Sequence, residues 1–192
     1  DDAFLEALKK AMPLLPEDYK RQFISKYGIK SALAELLVSS RSIAEFYEAC
    51  AGYTKYYESL GNLIVTDVFR LMGSQEEETK VSVSPQQLGA LVSLIGIDKI
   101  NLSIAKRVLT EMWQSDKMPE TIIEANDLWP IVEVETLTAL GKEIIEKMPQ
   151  IKVDYLSGKT QALGAFMGQM MKVSQGKADP SKTEAVFLEI VK

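Results

Sequence analysis

Helix punctuation runs along this chain from end to end and leaves little room for any other kind of structure. Leu15-Pro16-Glu17-Asp18 puts a proline in a first helical turn, and Tyr27-Gly28 supplies the stop. Ser40-Arg41 opens a second segment, with Ile43, Ala44, Phe46, Tyr47 and Cys50 at its apolar positions. Apolar spacing predicts a longer helix from about 55 to 72, closed by Gly73-Ser74. The acidic stretch at 75–80 reads as an exposed loop. Ser84-Pro85-Gln86-Gln87 has the capping-box pattern, with Ser84 as N-cap and Gln87 at the third helical position. Asn101 is the expected cap of a helix carrying Ile104, Ala105, Val108, Leu109, Met112 and Trp113, and Pro119 opens a short one. Asp127-Leu128-Trp129-Pro130 interrupts the pattern. Helices are expected afterwards over 133–148, 150–157 and 159–175, then Gly176 as a C-cap, Asp179 as an N-cap and Pro180 as the first residue of a last helix. β-branched runs of period two are missing. The expectation is an all-α chain, a helical body over 1–128 followed by a small C-terminal bundle of three to four helices over 129–192.

Composition removes whole classes of chemistry. The chain has one cysteine and no histidine. A Ser-His-Asp triad, a Cys-His dyad and histidine-ligated zinc are impossible. The single Cys50 forms no internal disulfide, which fits a reducing compartment, and its apolar neighbours make it an inert small hydrophobe. No Walker-type or dinucleotide glycine loop is present, and the acidic residues lack metal-loop spacing. No apolar run approaches membrane-spanning length, and no signal peptide is visible. The chain starts Asp1-Asp2 without methionine, so it is expected to be a piece of something longer.

The net charge of −5 argues mildly against wholesale nucleic-acid binding, but it is unevenly spread. Residues 150–192 hold six lysines and four acids, a balance of +2, so the remainder carries −7. Within that basic tail, apolar residues at 163, 166, 167, 170 and 171 form one buried helical stripe. Gln161, Ala165, Gly168 and Lys172 fall opposite, with Gly164 at the edge. A glycine inside a helix costs about 1 kcal/mol against alanine, so close approach of another molecule or helix is the physical candidate for what offsets it.

Three motifs of this tail carry a family resemblance: Tyr155-x-x-Gly158-Lys159; then Ala162-Leu163-Gly164, Phe166, Gly168-Gln169 and Met171-Lys172; then Gly176-Lys177-Ala178-Asp179-Pro180. They are similar to the C-terminal domain of the B subunit of the tRNA-dependent amidotransferase, GatB, shared with the small stand-alone YqeY proteins. Val83-Ser84-Pro85-Gln86-Gln87-Leu88, Ile100-Asn101, Ala105-Lys106 and Met112-Trp113 resemble the family's middle segment. Leu15-Pro16, Arg21-Gln22-Phe23, Tyr27-Gly28, Arg41 and Ala44-Glu45-Phe46-Tyr47 resemble its first helices. Asp179 stands where the family usually has asparagine; both cap helices, and the added charge disfavours phosphate at that spot. Gly61-Asn62-Leu63-Ile64 stands where the family usually has a tryptophan.

The resemblance implies an ATP-dependent, glutamine-hydrolysing ligase whose catalytic domain, with its ATP and Mg2+, lies outside this chain. That domain would phosphorylate the glutamate or aspartate on a mischarged tRNA. Ammonia from the A subunit would then give Gln-tRNA(Gln) or Asn-tRNA(Asn). This chain would hold the tRNA body and carry no catalytic site or cofactor. Its implied partners are tRNA(Gln) or tRNA(Asn) and the A and C subunits, with no DNA and no membrane, in the bacterial cytoplasm or an organelle matrix.

The candidate tRNA-binding residues are Gly158, Lys159, Gly164, Gly168, Gln169, Lys172, Gly176 and Lys177. Each has a plainer reading. Gly164 and Gly168 also suit helix-on-helix packing, a surface lysine is often only solvated, and an exposed glutamine is commonly idle. Tyr155, Phe166, Met167, Met170 and Met171 read as core, and Tyr53, Tyr56 and Tyr57 with Lys55 as half-buried tyrosines before stacking platforms. The alternative function is a helical protein-interaction module, or a stand-alone YqeY-like protein, without RNA binding.

Overall fold

The computed structural model describes residues 15–73 and 81–192; the acidic loop expected at 75–80 lies outside them. The described residues are all-α, as the punctuation requires. They form two compact units, one of residues up to 96 with 112–118, the other of 97–111 with 119–192.

In the first unit, helix α1 is Pro16–Tyr27, α2 Ser31–Leu37 and α3 Arg41–Ala51. Gly28 ends α1 in the left-handed region, φ 66°, and Ser40 Oγ accepts the Ile43 N–H at the start of α3. The long central helix α4 covers Tyr57–Leu63 and Phe69–Met72 and is π-helical over Ile64–Val68, where the Phe69 N–H reaches the Ile64 carbonyl. The extra residue leaves Leu60, Ile64 and Val68 all fully buried while Asp67 is also drawn inside, hydrogen-bonded by Thr66 Oγ1 at 2.8 Å and 3.6 Å from Arg70. Helix α5, Pro85–Gly96, opens on the expected capping box: Gln87 N–H donates to Ser84 Oγ at 3.2 Å, and Ser84 N–H to Gln87 Oε1 at 2.8 Å.

An aromatic cluster anchors this unit. Phe23 and Tyr47 rings lie 4.7 Å apart and Tyr27 and Tyr57 4.8 Å apart, and Tyr47 Oη donates to the Tyr57 carbonyl. Burial pushes the Tyr47 phenol and the Cys50 thiol far up, so both stay neutral. Tyr57 is half-buried against this cluster, Tyr53 is exposed, and Tyr56 lies flat against Gly96, where a Cβ would strike its ring. Gly89 faces less yielding neighbours. A Cβ there would overlap Tyr53 Cβ and approach the Cys50 carbonyl at 3.3 Å. Those are atoms the backbone fixes, so Gly89→Ala is expected to destabilise the unit by about 1–3 kcal/mol. Urea unfolding followed by circular dichroism checks this, and an unchanged midpoint would show that the two segments slide apart freely.

In the second unit, α6 is Leu102–Met112, of which the last residue counts with the first unit, α7 is Pro119–Ala125, α8 Val134–Lys147, α9 Gln150–Leu156, α10 Gln161–Val173 and α11 Pro180–Ile190. Asn101 Oδ1 caps α6 through the Ile104 N–H, and Asp179 caps α11 through the Lys182 N–H. Helices α8 to α11 share one core containing Leu137, Ile144, Ile151, Ala162, Phe166, Met170, Val186 and Phe187. Gly141 on α8 makes that core possible: a Cβ there would lie 2.7 Å from Ile190 Cδ1 and 3.1 Å from Phe166 Cζ.

Residues 97–111 and 119–128, which precede the expected boundary at 128–129, cluster with this bundle. Three polar contacts join them to it: Lys177 Nζ donates to Asp127 at 2.9 Å, Asn101 Nδ2 to the Gly176 carbonyl at 2.9 Å and Arg107 Nη1 to the Gln175 carbonyl at 2.8 Å. Within the bundle, Ile131 N–H donates to the Lys177 carbonyl at 2.7 Å, and Asp179 N–H to the Ile131 carbonyl at 3.2 Å.

Candidate nucleic-acid interface

The candidate residues group around α10. Ala162, Phe166 and Met170 are its buried stripe, with Leu163 and Met171 half-buried against the same core. That leaves Gln161, Gly164, Ala165, Gly168 and Lys172 exposed along one flank, with Gln169 half-buried beside it. A Cβ built on Gly164 or Gly168 meets nothing within 4 Å. Helix-on-helix packing within the described residues therefore does not account for either glycine. Among the described residues, the helical glycines crowded by a neighbour are Gly61, Gly89, Gly96 and Gly141, all on other helices.

At the start of the flank, α9 ends in a Schellman turn. Lys159 N–H donates to the Asp154 carbonyl and Gly158 N–H to that of Tyr155, both at 2.9 Å. Gly158, φ 91°, supplies the left-handed residue and is exposed. The turn brings the Lys159 side chain back to Asp154 at 3.0 Å; a hydrogen bond from Gln150 and the Lys159 ammonium hold that carboxyl below its usual range. Lys159 remains 68% exposed. Tyr155 packs edge-on to Phe187 at 4.9 Å and lies half-buried against the core.

The far end has the same turn with a difference. Gly176 N–H donates to the Met171 carbonyl and Gln175 N–H to that of Lys172, so the left-handed residue closing α10 is Gln175, φ 54°, followed by Gly176 at φ 82°. Gly176 is buried, its carbonyl accepts Asn101 Nδ2 at 2.9 Å, and a Cβ on it would lie 2.7 Å from Ser103 Oγ. Lys177 is turned to Asp127 at 2.9 Å and is only 19% exposed. Gly176 and Lys177 thus stand apart from the open flank. Gly158, Lys159, Gly164, Gly168, Gln169 and Lys172 are the candidates that the fold leaves accessible.

Asn101, expected only as a helix cap, thus also holds the far end, and a residue that sequence reasoning passed over completes it: Arg107 on α6 donates from Nη1 to the Gln175 carbonyl at 2.8 Å. These partners lie 75 and 68 positions from their acceptors, so no local signal marks them. Among the described residues no group of three or more His, Cys, Asp or Glu side chains is placed to hold a metal ion, and no helix is long and apolar enough to cross a membrane.

Comparison with known proteins bears on this architecture directly. The family model described as the GatB domain matches residues 44–191. The B subunit of the aspartyl/glutamyl-tRNA(Asn/Gln) amidotransferase of Caldicellulosiruptor bescii is 32% identical over 98% of this chain. The B subunits of the same enzyme from Thermotoga maritima, at 34% over 99%, and Thermoanaerobacter sp., at 35% over 98%, are similar. The chain spans 40% of the length of each of these relatives. A family model covering more than two thirds of the residues, on a bundle whose accessible flank carries the motif residues Gly164, Gly168 and Lys172, establishes that this chain belongs to the GatB domain family.

Proposed function

We propose that this chain is the C-terminal, tRNA-holding part of an aspartyl/glutamyl-tRNA(Asn/Gln) amidotransferase B subunit. Activation of the mischarged aminoacyl group, with ATP and Mg2+, belongs to a catalytic domain outside the chain. Its other partners are the remaining subunits of that enzyme, and its compartment is the cytoplasm. The observation that carries the reading is the bare flank of α10. Two glycines that no described residue packs against, in a helix interior that they weaken, ask for a ligand that comes close to backbone. Folded RNA suits such a surface, because it is recognised largely by shape and by phosphate and 2′-hydroxyl contacts. Lys159 at one end of the flank and Lys172 at the other are placed for phosphates, and Gln169 for a ribose or base edge.

Titration with uncharged tRNA tests this. Binding is expected to weaken steeply with salt, and Lys159→Ala with Lys172→Ala is expected to reduce the slope of log K against log salt by roughly 1.4–1.8, at roughly 0.7–0.9 per lost phosphate contact. Unchanged affinity and slope would remove these lysines from the site.

A second reading, docking onto partner subunits without RNA, is favoured by the −7 carried outside residues 150–192. Pull-down of the A and C subunits with and without nuclease separates the two: capture that survives nuclease, together with no tRNA titration, selects the second.

A further inference from the structure

Most of the tail's lysines are already engaged. Lys159 is paired with Asp154 and Lys177 with Asp127, while Lys152 donates to the Ile190 carbonyl and Lys182 to that of Val132. Two exposed cations near the flank are different. The Lys172 ammonium makes no hydrogen bond or ion pair among the described residues. Arg107 is exposed, gives one N–H to the Gln175 carbonyl, and meets no carboxylate among the described residues. Both are tied to the same residue, since Gln175 N–H donates to the Lys172 carbonyl at 3.2 Å and the Gln175 carbonyl accepts from Arg107 at 2.8 Å. Lys99, Lys142 and Lys192 also lack an ion pair among the described residues, but none of them bonds to α10 or its closing turn.

On the reading of the flank as an RNA surface, we propose that the surface does not end with α10: Arg107 of α6 makes its own phosphate contact beside Lys172, joined to it through the Gln175 backbone. A guanidinium has five N–H donors in a planar fork. One is spent on Gln175, which fixes the side chain in place. The remaining donors meet a phosphate without the entropy loss that a free side chain would suffer. The double left-handed turn at Gln175-Gly176 is what brings the carbonyl to Arg107. Asn101 Nδ2 holds the next carbonyl, so the register between α6 and the end of the flank is fixed at two adjacent peptide groups.

A plainer role is available, in which Arg107 merely caps α10 and steadies Lys172. A double-mutant cycle on tRNA binding by this chain, run across a range of salt concentrations, separates the roles. Arg107→Met is expected to lose roughly five- to tenfold in affinity and to reduce the salt slope by roughly 0.7–0.9, the value of one phosphate contact. Arg107→Lys should recover most of the slope. In the Lys172→Ala background, Arg107→Met should lower the slope again by about the same amount. If it adds nothing there, Arg107 acts only through Lys172 and the proposal is overturned. An unchanged slope in the single variant, or a loss seen only in capture of a protein partner, overturns it as well. Wild-type chain that fails to bind tRNA at any salt refutes the reading of the flank itself, and a wild-type titration run first shows which of the two has failed.

Discussion

Phe166→Ala is expected to remove about 3–5 kcal/mol from the second unit, enough to leave its bundle loosely folded. The size follows from what α10 rests on. Its own propensity is poor, because Gly164 and Gly168 each weaken it by about 1 kcal/mol and neither is compensated by packing among the described residues. What holds it is the stripe Ala162, Phe166 and Met170. Phe166 is the largest of these. It is fully buried, its ring centre lies 4.7 Å from that of Phe187, and its Cζ occupies the space that Gly141 leaves open on α8. Truncation therefore opens a cavity shared by α8, α10 and α11, three helices that cannot all close in on it while Ile190 already fills the other side of Gly141. The two tryptophans give a reporter for each unit: Trp113 belongs to the first and Trp129 to the second. In a Trp113→Phe background, urea unfolding read by Trp129 fluorescence should show the loss, with Phe166→Leu losing much less. A loss under about 1 kcal/mol would mean that α10 is held by something other than this stripe.

How much of this was legible in the sequence depends on the range of the interaction. Gly28, Ser40, Ser84 with Gln87, Asn101 and Asp179 act on residues within a few positions, and each does what its type and spacing indicate, whereas the expected C-cap Gly176 follows Gln175, which is the left-handed residue that closes α10. The stripe of α10 was legible in part, since helical period decides which side chains share a face: Phe166 and Met170 are buried as expected, but Leu163, Met167 and Met171 are only half-buried, and Ala162, outside the expected stripe, is buried. Features set by distant partners were not. Gly176 and Lys177 look in sequence like Gly168 and Lys172, and only Ser103, Asn101 and Asp127 distinguish them. Gly141 gave no sign of its role, because the residues crowding it, Phe166 and Ile190, lie on other helices. The π-helical turn at 64–68 was unreadable too: apolar spacing along α4 fits an ordinary helix, and the extra residue shows only in which backbone carbonyl each N–H reaches. The family relationship, by contrast, was legible almost throughout, because it rests on residue types in order and not on where they point.

Filling the bare flank is expected to strengthen the fold and weaken the function together. Gly168→Gln replaces an exposed helical glycine with a good helix former where a Cβ meets only open space, so stability should rise by about 0.5–1 kcal/mol. Gly168→Glu should gain slightly more, because a glutamate four residues before Lys172 forms a favourable i,i+4 pair worth about 0.3–0.5 kcal/mol. Both side chains stand off the helix where RNA would lie against backbone, and the glutamate also presents a like charge to phosphate while drawing Lys172 away from it. We expect tRNA affinity to fall by about tenfold for the glutamine and by about a hundredfold for the glutamate, equivalent to about 1.4 and 2.8 kcal/mol. Gly168→Ala tests the closeness of approach, since a single methyl has room in the chain itself and can only be refused by a ligand. The opposite movement of melting temperature and affinity across Ala, Gln and Glu is the diagnostic result. Should affinity stay level while the melting temperature climbs, the glycines would serve neither packing nor RNA, and the flank would be an idle surface. A melting temperature that falls would mean instead that some other part of the protein covers this face.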